Sequence, residues 1–430
     1  MQTKTFQQVN ETLYSEQLPN GLKVYLLPKM GFGKTYAVFT TRYGSIDSHF
    51  RISGGAEVHV PDGIAHFLEH KMFDKEDRDV FQDFSRNGAS CNAFTTFNRT
   101  AYLFSCTDLV EDNLNILLDF VQEPYFTEQS VEKEKGIIGQ EIRMYDDNPD
   151  WKVYMSLLKA MYQEHPVRIE IAGTVESIAK ITKDTLYDCY ETFYHPSNMI
   201  LFVVGSFDPE SIMQTVRKNQ EGKSFSPSPK IERFFPQEPA ALAQKQVENH
   251  LSVGLPKCMI GFKDAHVGLT GEQLLRREMT TKLLLDILFG TSSALYQKLY
   301  EAGLITESFD FDYTCEQDYA YSLLGGDTPD PERLKEMIQQ EISHYLQAGI
   351  AKDEFERSKR KKIGQFLRSL NSIEYIANQF TSYTFNGTDL FAVVPVLESI
   401  TLQDVTERMG EHLRFDQMAV SIVRSAADQE

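Results

Sequence analysis

The sequence predicts an α+β fold in two similar lobes, and three observations carry the prediction. Strand-like and helix-like segments alternate through the first half, the same order recurs in the second, and a stretch without clean periodicity separates them. That stretch, RKNQEGKSFSPSPKIERFFPQEPAALAQ at residues 217–244, mixes charge with Gly, Ser and Pro and reads as a linker. The expected division is an N-terminal lobe over 1–220, a linker over 221–243 and a C-terminal lobe over 244–430.

Upstream, GLKVYLLP, YAVFTTRYGS, TAYLFSCTD and MILFVVGSF are rich in aromatic and β-branched residues and read as strands. Between them VEDNLNILLDFVQ and VEKEKGIIGQEIRMYDD carry apolar residues at helical spacing. SCNAFTTFNRTAYLFS, residues 90–105, alternates like a strand. Downstream, HLSVGLPKCMIGFKD reads as strands and GEQLLRREMTTKLLLDILFG as a helix ending at Gly290. YAYSLLGGD, the helical PERLKEMIQQEISHYLQAG and a closing strand QMAVSIVRS complete the second pass. ERSKRKK at 356–362 runs into the helical pattern IGQFLRSL and reads as an exposed helix face, and the glycines of GLTGEQ and GGD as simple turns.

Composition narrows the function. At 430 residues, 41% hydrophobic and 24% charged, the chain has the makeup of a soluble globular protein. A formal net charge of −19 disfavours nucleic acid as a partner, because phosphate binding relies on clustered Lys and Arg. The polar N-terminus lacks a signal-peptide core and no apolar run reaches membrane length, so a cytoplasmic protein without a membrane partner is expected. The five cysteines are scattered and never at C-x-x-C spacing, so any metal would be held by His and carboxylate.

The stretch GIAHFLEHKMF, residues 63–73, offers such groups. On a helix His66, Glu69 and His70 share one face, where two imidazoles can ligate a single Zn²⁺ while the carboxylate serves as general base, the H-x-x-E-H arrangement. A surface helix that happens to carry His and Glu is the plainer alternative. A third ligand is needed. His165 and His195 each precede a proline in loop-like sequence, and His49 and His59 sit in a polar loop, so all four are expected at the surface. Glu134 and Glu141, seven apart, would share one helix face, although a solvated charge run has the same pattern.

Taken together, GIAHFLEH, the Glu of EKEKGIIGQEIRMYDDNPD and NAFTTFNRTAY between them resemble the pitrilysin/insulinase family of inverzincin peptidases. The likeness extends to NGLKVYLLP, GTVESIAKIT and YHPSNMILFVVG, and is greatest to the mitochondrial-processing-peptidase-like branch and its bacterial YmfH-like members. The resemblance implies His66, His70 and Glu141 as ligands of one Zn²⁺ per chain, Glu69 as general base and Glu134 as a carboxylate supporting a ligand. It also implies that Asn92, Ala93, Phe94 and Thr95 lie on an edge strand that binds peptide substrate by β-addition. Peptides or unstructured leader segments would be cut inside a chamber between two clamshell halves, of which this chain is one. Basic peptides would be weakly preferred. The family also contains members without catalysis, so a scaffold or peptide-binding subunit is the alternative.

Family members acting alone, or as the non-zinc partner, carry Arg and Tyr in the second lobe that approach the substrate. In the matching stretch, SSALYQKLYEAGLITESF, the Arg position falls on Tyr300 and the Tyr position on Thr306, with Tyr313 as a substitute. The expectation is a heterodimer in which a related subunit supplies both side chains.

Overall fold

The structure, a computed structural model, describes residues 1–52 and 54–426, which form two compact units. The first comprises Met1–Ile142, Ile169–Phe234 and Ser369–Phe385; the second comprises Arg143–Arg168, Phe235–Arg368 and Asn386–Glu430. The architecture is α+β, as the sequence predicts.

The first unit is built on β1 (Gln2–Phe6), β2 (Glu11–Gln17), β3 (Lys23–Pro28), β4 (Thr35–Thr41), β7 (Ser90–Thr95), β8 (Thr100–Cys106) and β9 (Met199–Gly205), in the order β1-β2-β3-β9-β4-β8-β7. A small sheet of β5 (His49–Ile52), β6 (Glu57–His59) and β10 (Ile231–Arg233) has the order β10-β5-β6. Every residue of β9, MILFVVG, is buried, as a continuous apolar run requires when both faces of a strand are covered. One face meets the core of Phe39, Phe67, Leu68, Phe104 and Leu117, to which α1 (Ile64–Lys71), α2 (Val80–Arg86), α3 (Val110–Gln122) and α4 (Glu128–Asp146) contribute. The other face is covered by the helix Ile373–Phe385, whose Phe380 ring lies 4.4 Å from Phe202 and 5.0 Å from Tyr25.

The second unit repeats the device. Its sheet is formed by β11 (Gln246–Leu251), β12 (Lys257–Lys263), β13 (Asp310–Cys315), β14 (Ala320–Asp327) and β15 (Met418–Ser425), in the order β11-β15-β12-β14-β13. Helix α5 (Pro149–Met161), from the first half of the sequence, packs on β15, β12 and β11. The approach is close enough that a Cβ at Gly261 would stand 2.8 Å from Met161 Sδ, so a larger residue there would displace side chains of α5. Each sheet therefore takes one covering helix from the other half of the chain.

The stretch read as a linker is partly pinned. Arg233 Nε on β10 donates to Asp47 at 2.7 Å, and the Glu238 carboxylate accepts the backbone N–H groups of Gln163, Glu164 and His165 at 2.9, 2.8 and 2.7 Å. Prolines break its periodicity, but its charged side chains find fixed partners. Among the described residues no helix is long and apolar enough to cross a membrane.

Candidate metal centre

Helix α1 starts at a glycine that has no substitute. Gly63 has φ 88°, and a Cβ on it would stand 2.4 Å from the Ala172 carbonyl oxygen; Gly173, at φ 74°, closes against Asp62 in the same way. With that end fixed, Ile64, Ala65, Phe67 and Leu68 enter the core. The same packing draws in His66 and Glu69, 8% and 7% exposed.

Helix α4 buries Val131, Ile138 and Ile142, which turns Glu134 and Glu141 toward α1. Glu141 stands with Oε1 3.6 Å from His66 Nε2 and Oε2 3.5 Å from His70 Nε2. Both separations exceed an ordinary hydrogen bond. They match the edge of a tetrahedron with ligands at ~2.0–2.2 Å from a shared centre, which is roughly 3.3–3.6 Å. One ligand atom from each of the three residues lies within 4.8 Å of the others, and two imidazoles with one carboxylate are a donor set suited to Zn²⁺. Glu134 Oε1 lies 3.0 Å from His70 Nδ1, which fixes the ring and leaves Nε2 facing Glu141.

Charge reinforces the geometry. Burial, with His70 adjacent, drives His66 down to about 3, so the imidazole is neutral and its lone pair available. Burial also acts against a charge on His70, but the Glu134 hydrogen bond and the carboxylates of Glu69, Glu141 and Glu134 outweigh it and raise that imidazole. Burial lifts the Glu69 carboxyl to about 7, against the pull of Thr95 and His70. Thr95 Oγ1 donates to Glu69 Oε2 at 2.6 Å, tying the carboxylate to the end of β7.

The structure thus brings together His66, Glu69, His70, Glu134, Glu141 and Thr95. Asn92, Ala93 and Phe94 lie on β7, which pairs with β8 at the end of the sheet order, making it an edge strand. Their contacts lie elsewhere: Asn92 Oδ1 accepts the Ala93 N–H at 2.9 Å, and Phe94 lies under Arg99 at 5.8 Å. Thr95 has a role the sequence did not signal, since its bond to Glu69 depends on how β7 is placed against α1.

Three expectations need correction. His165 and His195 are buried, 2% and 6% exposed, not at the surface. Each proline-preceding loop is capped internally, with His165 Nδ1 accepting the Val167 N–H at 3.1 Å and His195 Nε2 donating to the Ser226 carbonyl at 2.9 Å. Tyr313 is no substitute donor either, because it is 1% exposed and its hydroxyl donates to Asp264 Oδ2 at 2.8 Å. Tyr300 is 66% exposed and the Thr306 hydroxyl lies 2.8 Å from that of Ser308. Finally, His49 and His59 lie on paired strands rather than in a loop.

Comparison with known proteins supplies the family. The insulinase (peptidase family M16) profile matches residues 52–175, which hold the whole cluster, and the peptidase M16 inactive-domain profile matches 180–362. The chain is similar to the uncharacterized zinc protease YmfH of Bacillus subtilis (strain 168), 57% identical over 418 residues, 96% of this chain and 97% of that one. A crystal structure described as an M16-like peptidase from Alicyclobacillus acidocaldarius superposes with a TM-score of 0.94 at 44% identity, covering 97% and 99% of the two chains. Pitrilysin shares the fold, with a TM-score of 0.76 at 15% identity over 99% of this chain and 46% of its own. On these matches the chain belongs to the insulinase family of peptidases, family M16.

Proposed function

We propose that this chain is a zinc-dependent endopeptidase and the catalytic subunit of a heterodimer. The observation that carries the reading is the convergence of His66, His70 and Glu141 on one point beside a Glu69 carboxylate held by Thr95. His66, His70 and Glu141 would hold one zinc ion, with Glu134 fixing the His70 ring. Zinc, when bound, supplies Lewis-acid polarisation of the scissile carbonyl and acidifies water toward a pKa of ~7. Glu69 takes the proton of the attacking water and returns it to the leaving amine. The free edge of β7 pairs with the substrate backbone through Asn92, Ala93, Phe94 and Thr95, which favours extended peptides over folded proteins. The −19 charge draws basic peptides, with a screening length of roughly 8 Å at physiological salt.

Two observations support the heterodimer. Tyr300 and Thr306 stand where Arg and Tyr are expected, so a related subunit would supply those donors. In addition, 99% of this chain corresponds to 46% of pitrilysin, so one pitrilysin chain has length for two such folds and this chain supplies one. The test is a cleavage survey of a mixed peptide pool by the zinc-loaded chain, alone and with a related M16 subunit carrying the Arg and Tyr. Cleavage that needs both chains and is abolished by Glu69→Gln is the expected result. Full turnover by the chain alone removes the heterodimer, and undiminished cleavage by the variant removes Glu69 as the base. Absence of zinc together with absence of cleavage leaves the scaffold reading.

A further inference from the structure

Seven residues before His66 the chain carries a second set of metal-seeking side chains. Strands β5 and β6 are antiparallel, with His49 directly opposite His59 and Arg51 opposite Glu57. Directly opposed residues project from one face, as do residues two apart along a strand, so His49, Glu57 and His59 share a face of the small sheet. The two imidazole rings stack with centroids 3.7 Å apart and planes 22° from parallel, and His49 Nε2 lies 3.2 Å from Glu57 Oε2. One ligand atom from each residue lies within 4.8 Å of the other two.

The surroundings brace this arrangement. Phe234, just past β10, packs its ring 4.8 Å from that of His49 and restricts the imidazole. Arg51, the cation that would compete for Glu57, lies 3.7 Å from it but points its fork at Glu232, with Nε and Nη2 at 3.2 and 2.5 Å from Oε2. Glu57 is half exposed and His49 about a quarter, so an ion can reach them without the sheet opening.

We propose that His49, Glu57 and His59 form a second divalent-metal site, separate from the His66–His70–Glu141 centre. Paired imidazoles with one carboxylate select ions of the Zn²⁺, Ni²⁺ and Cu²⁺ class over Mg²⁺ and Ca²⁺, which want oxygen ligands only. Rotation of the exposed Glu57 and His59 side chains brings separations of up to 4.8 Å toward the roughly 3.4 Å edge of a tetrahedral site. Water fills the remaining positions. The site binds more weakly than the α1–α4 centre, which is more buried and has Glu134 behind one imidazole, and a bound ion clips β6 to β5.

The experiment is a titration with Zn²⁺, and separately Ni²⁺, against a chromophoric chelator, using the full chain already loaded with one equivalent of zinc. Wild type takes up a further equivalent, and His49→Ala with His59→Ala weakens that uptake at least ~10-fold. The His66→Ala, His70→Ala chain, titrated metal-free, takes up one equivalent through this site, so failure of this site and failure of the catalytic reading are told apart. With one equivalent of Cu²⁺ on the His66→Ala, His70→Ala background, electron paramagnetic resonance shows coupling to two imidazole nitrogens that falls to one in His59→Asn and disappears when His49 and His59 are both replaced by Asn. A His49→Ala, His59→Ala chain that titrates like wild type, or nitrogen coupling undiminished when His49 and His59 are both replaced by Asn, overturns the proposal.

Discussion

Each unit contains a buried polar cluster, and the two solve the problem of a buried carboxylate in opposite ways. In the second unit Asp264 is surrounded by its own cations and donors: Arg408 in direct contact, Arg277 at 3.5 Å and the Tyr313 hydroxyl at 2.8 Å. Burial alone would raise its pKa, yet Arg408 and the groups beside it hold the carboxyl far below the ordinary range. In the first unit Glu69 is as deeply buried, but its neighbours are Glu141, a hydroxyl and imidazoles, and its pKa climbs to about 7. The lesson is that burial does not set the behaviour of a carboxylate; the presence of a permanent cation does. A cluster with a built-in guanidinium is complete, whereas one that gathers carboxylates around two imidazoles is arranged to receive a cation.

The largest effect that would break this contrast is on catalysis. Glu69→Gln keeps the shape of the first cluster and removes its base, so kcat should fall by ~10²–10⁴ while zinc content stays at the wild-type level. Peptide turnover and metal analysis on the same preparation check both halves.

In the second cluster the expected loss is in stability. Arg408→Met leaves the buried Asp264 with only the more distant Arg277 as a cation and should cost about 3–5 kcal/mol, measured by urea unfolding. Adding Asp264→Asn should recover part of that loss, because the stranded charge is then gone. If the single and double variants are equally destabilised, Arg408 acts by packing and the contrast between the clusters fails.

Sharper discrimination comes from Glu134→Gln, which weakens the partner of His70 Nδ1 without touching a ligand. Zinc affinity should drop by about 10–100-fold, with Glu69 unaffected. An unchanged affinity would show that the His70 ring is held by packing alone.

Acid stability probes the second unit. Burial drives His412 and His165 down to about 3 and about 4, whereas unfolded histidine titrates near ~6.5. Between these values the unfolded chain binds protons that the folded chain does not. Each of these contributions is therefore level above pH ~6.5 and falls as pH drops below it, by up to ~1.4 kcal/mol per pH unit for each histidine; His66, also down to about 3, adds the same sign, and Glu69, raised to about 7, offsets one of the three. Urea midpoints of chelator-treated protein at pH 7.5 and pH 5.5 test the sign; a midpoint that rises on acidification contradicts it. The smallest effect belongs to Thr95→Val, which removes one hydrogen bond to Glu69, about 1 kcal/mol or a several-fold loss in kcat, with recovery in Thr95→Ser.

Much of the metal cluster was legible because its residues are local on helices. His66, Glu69 and His70 fall on one face by helical spacing alone, and Glu134 and Glu141 on another. That the two faces meet depends on Gly63 closing against Ala172 and on Ile138 and Ile142 entering the core, contacts that no periodicity encodes. The runs MILFVVG and QMAVSIVRS were legible as strands. Nothing in them named the helices that cover them, which come from the opposite half of the chain. The buried His165 and His195 were misread because a proline after histidine signals a loop, and a loop can be internal when its polar atoms are capped. The His49–His59 pair was invisible for a related reason: strands this short, beside glycine, carry too few residues to display an alternating pattern.

The central claim, that the α1–α4 cluster is arranged to receive one zinc ion, is tested most directly by metal content. The chain should be purified without chelators, dialysed to remove weakly held ions, and compared with Glu69→Gln and with His66→Ala, His70→Ala. The account predicts about one zinc per chain in wild type and in Glu69→Gln, and almost none in the double histidine variant. Equal zinc in all three, or wild type holding only a small fraction of an equivalent, would contradict it.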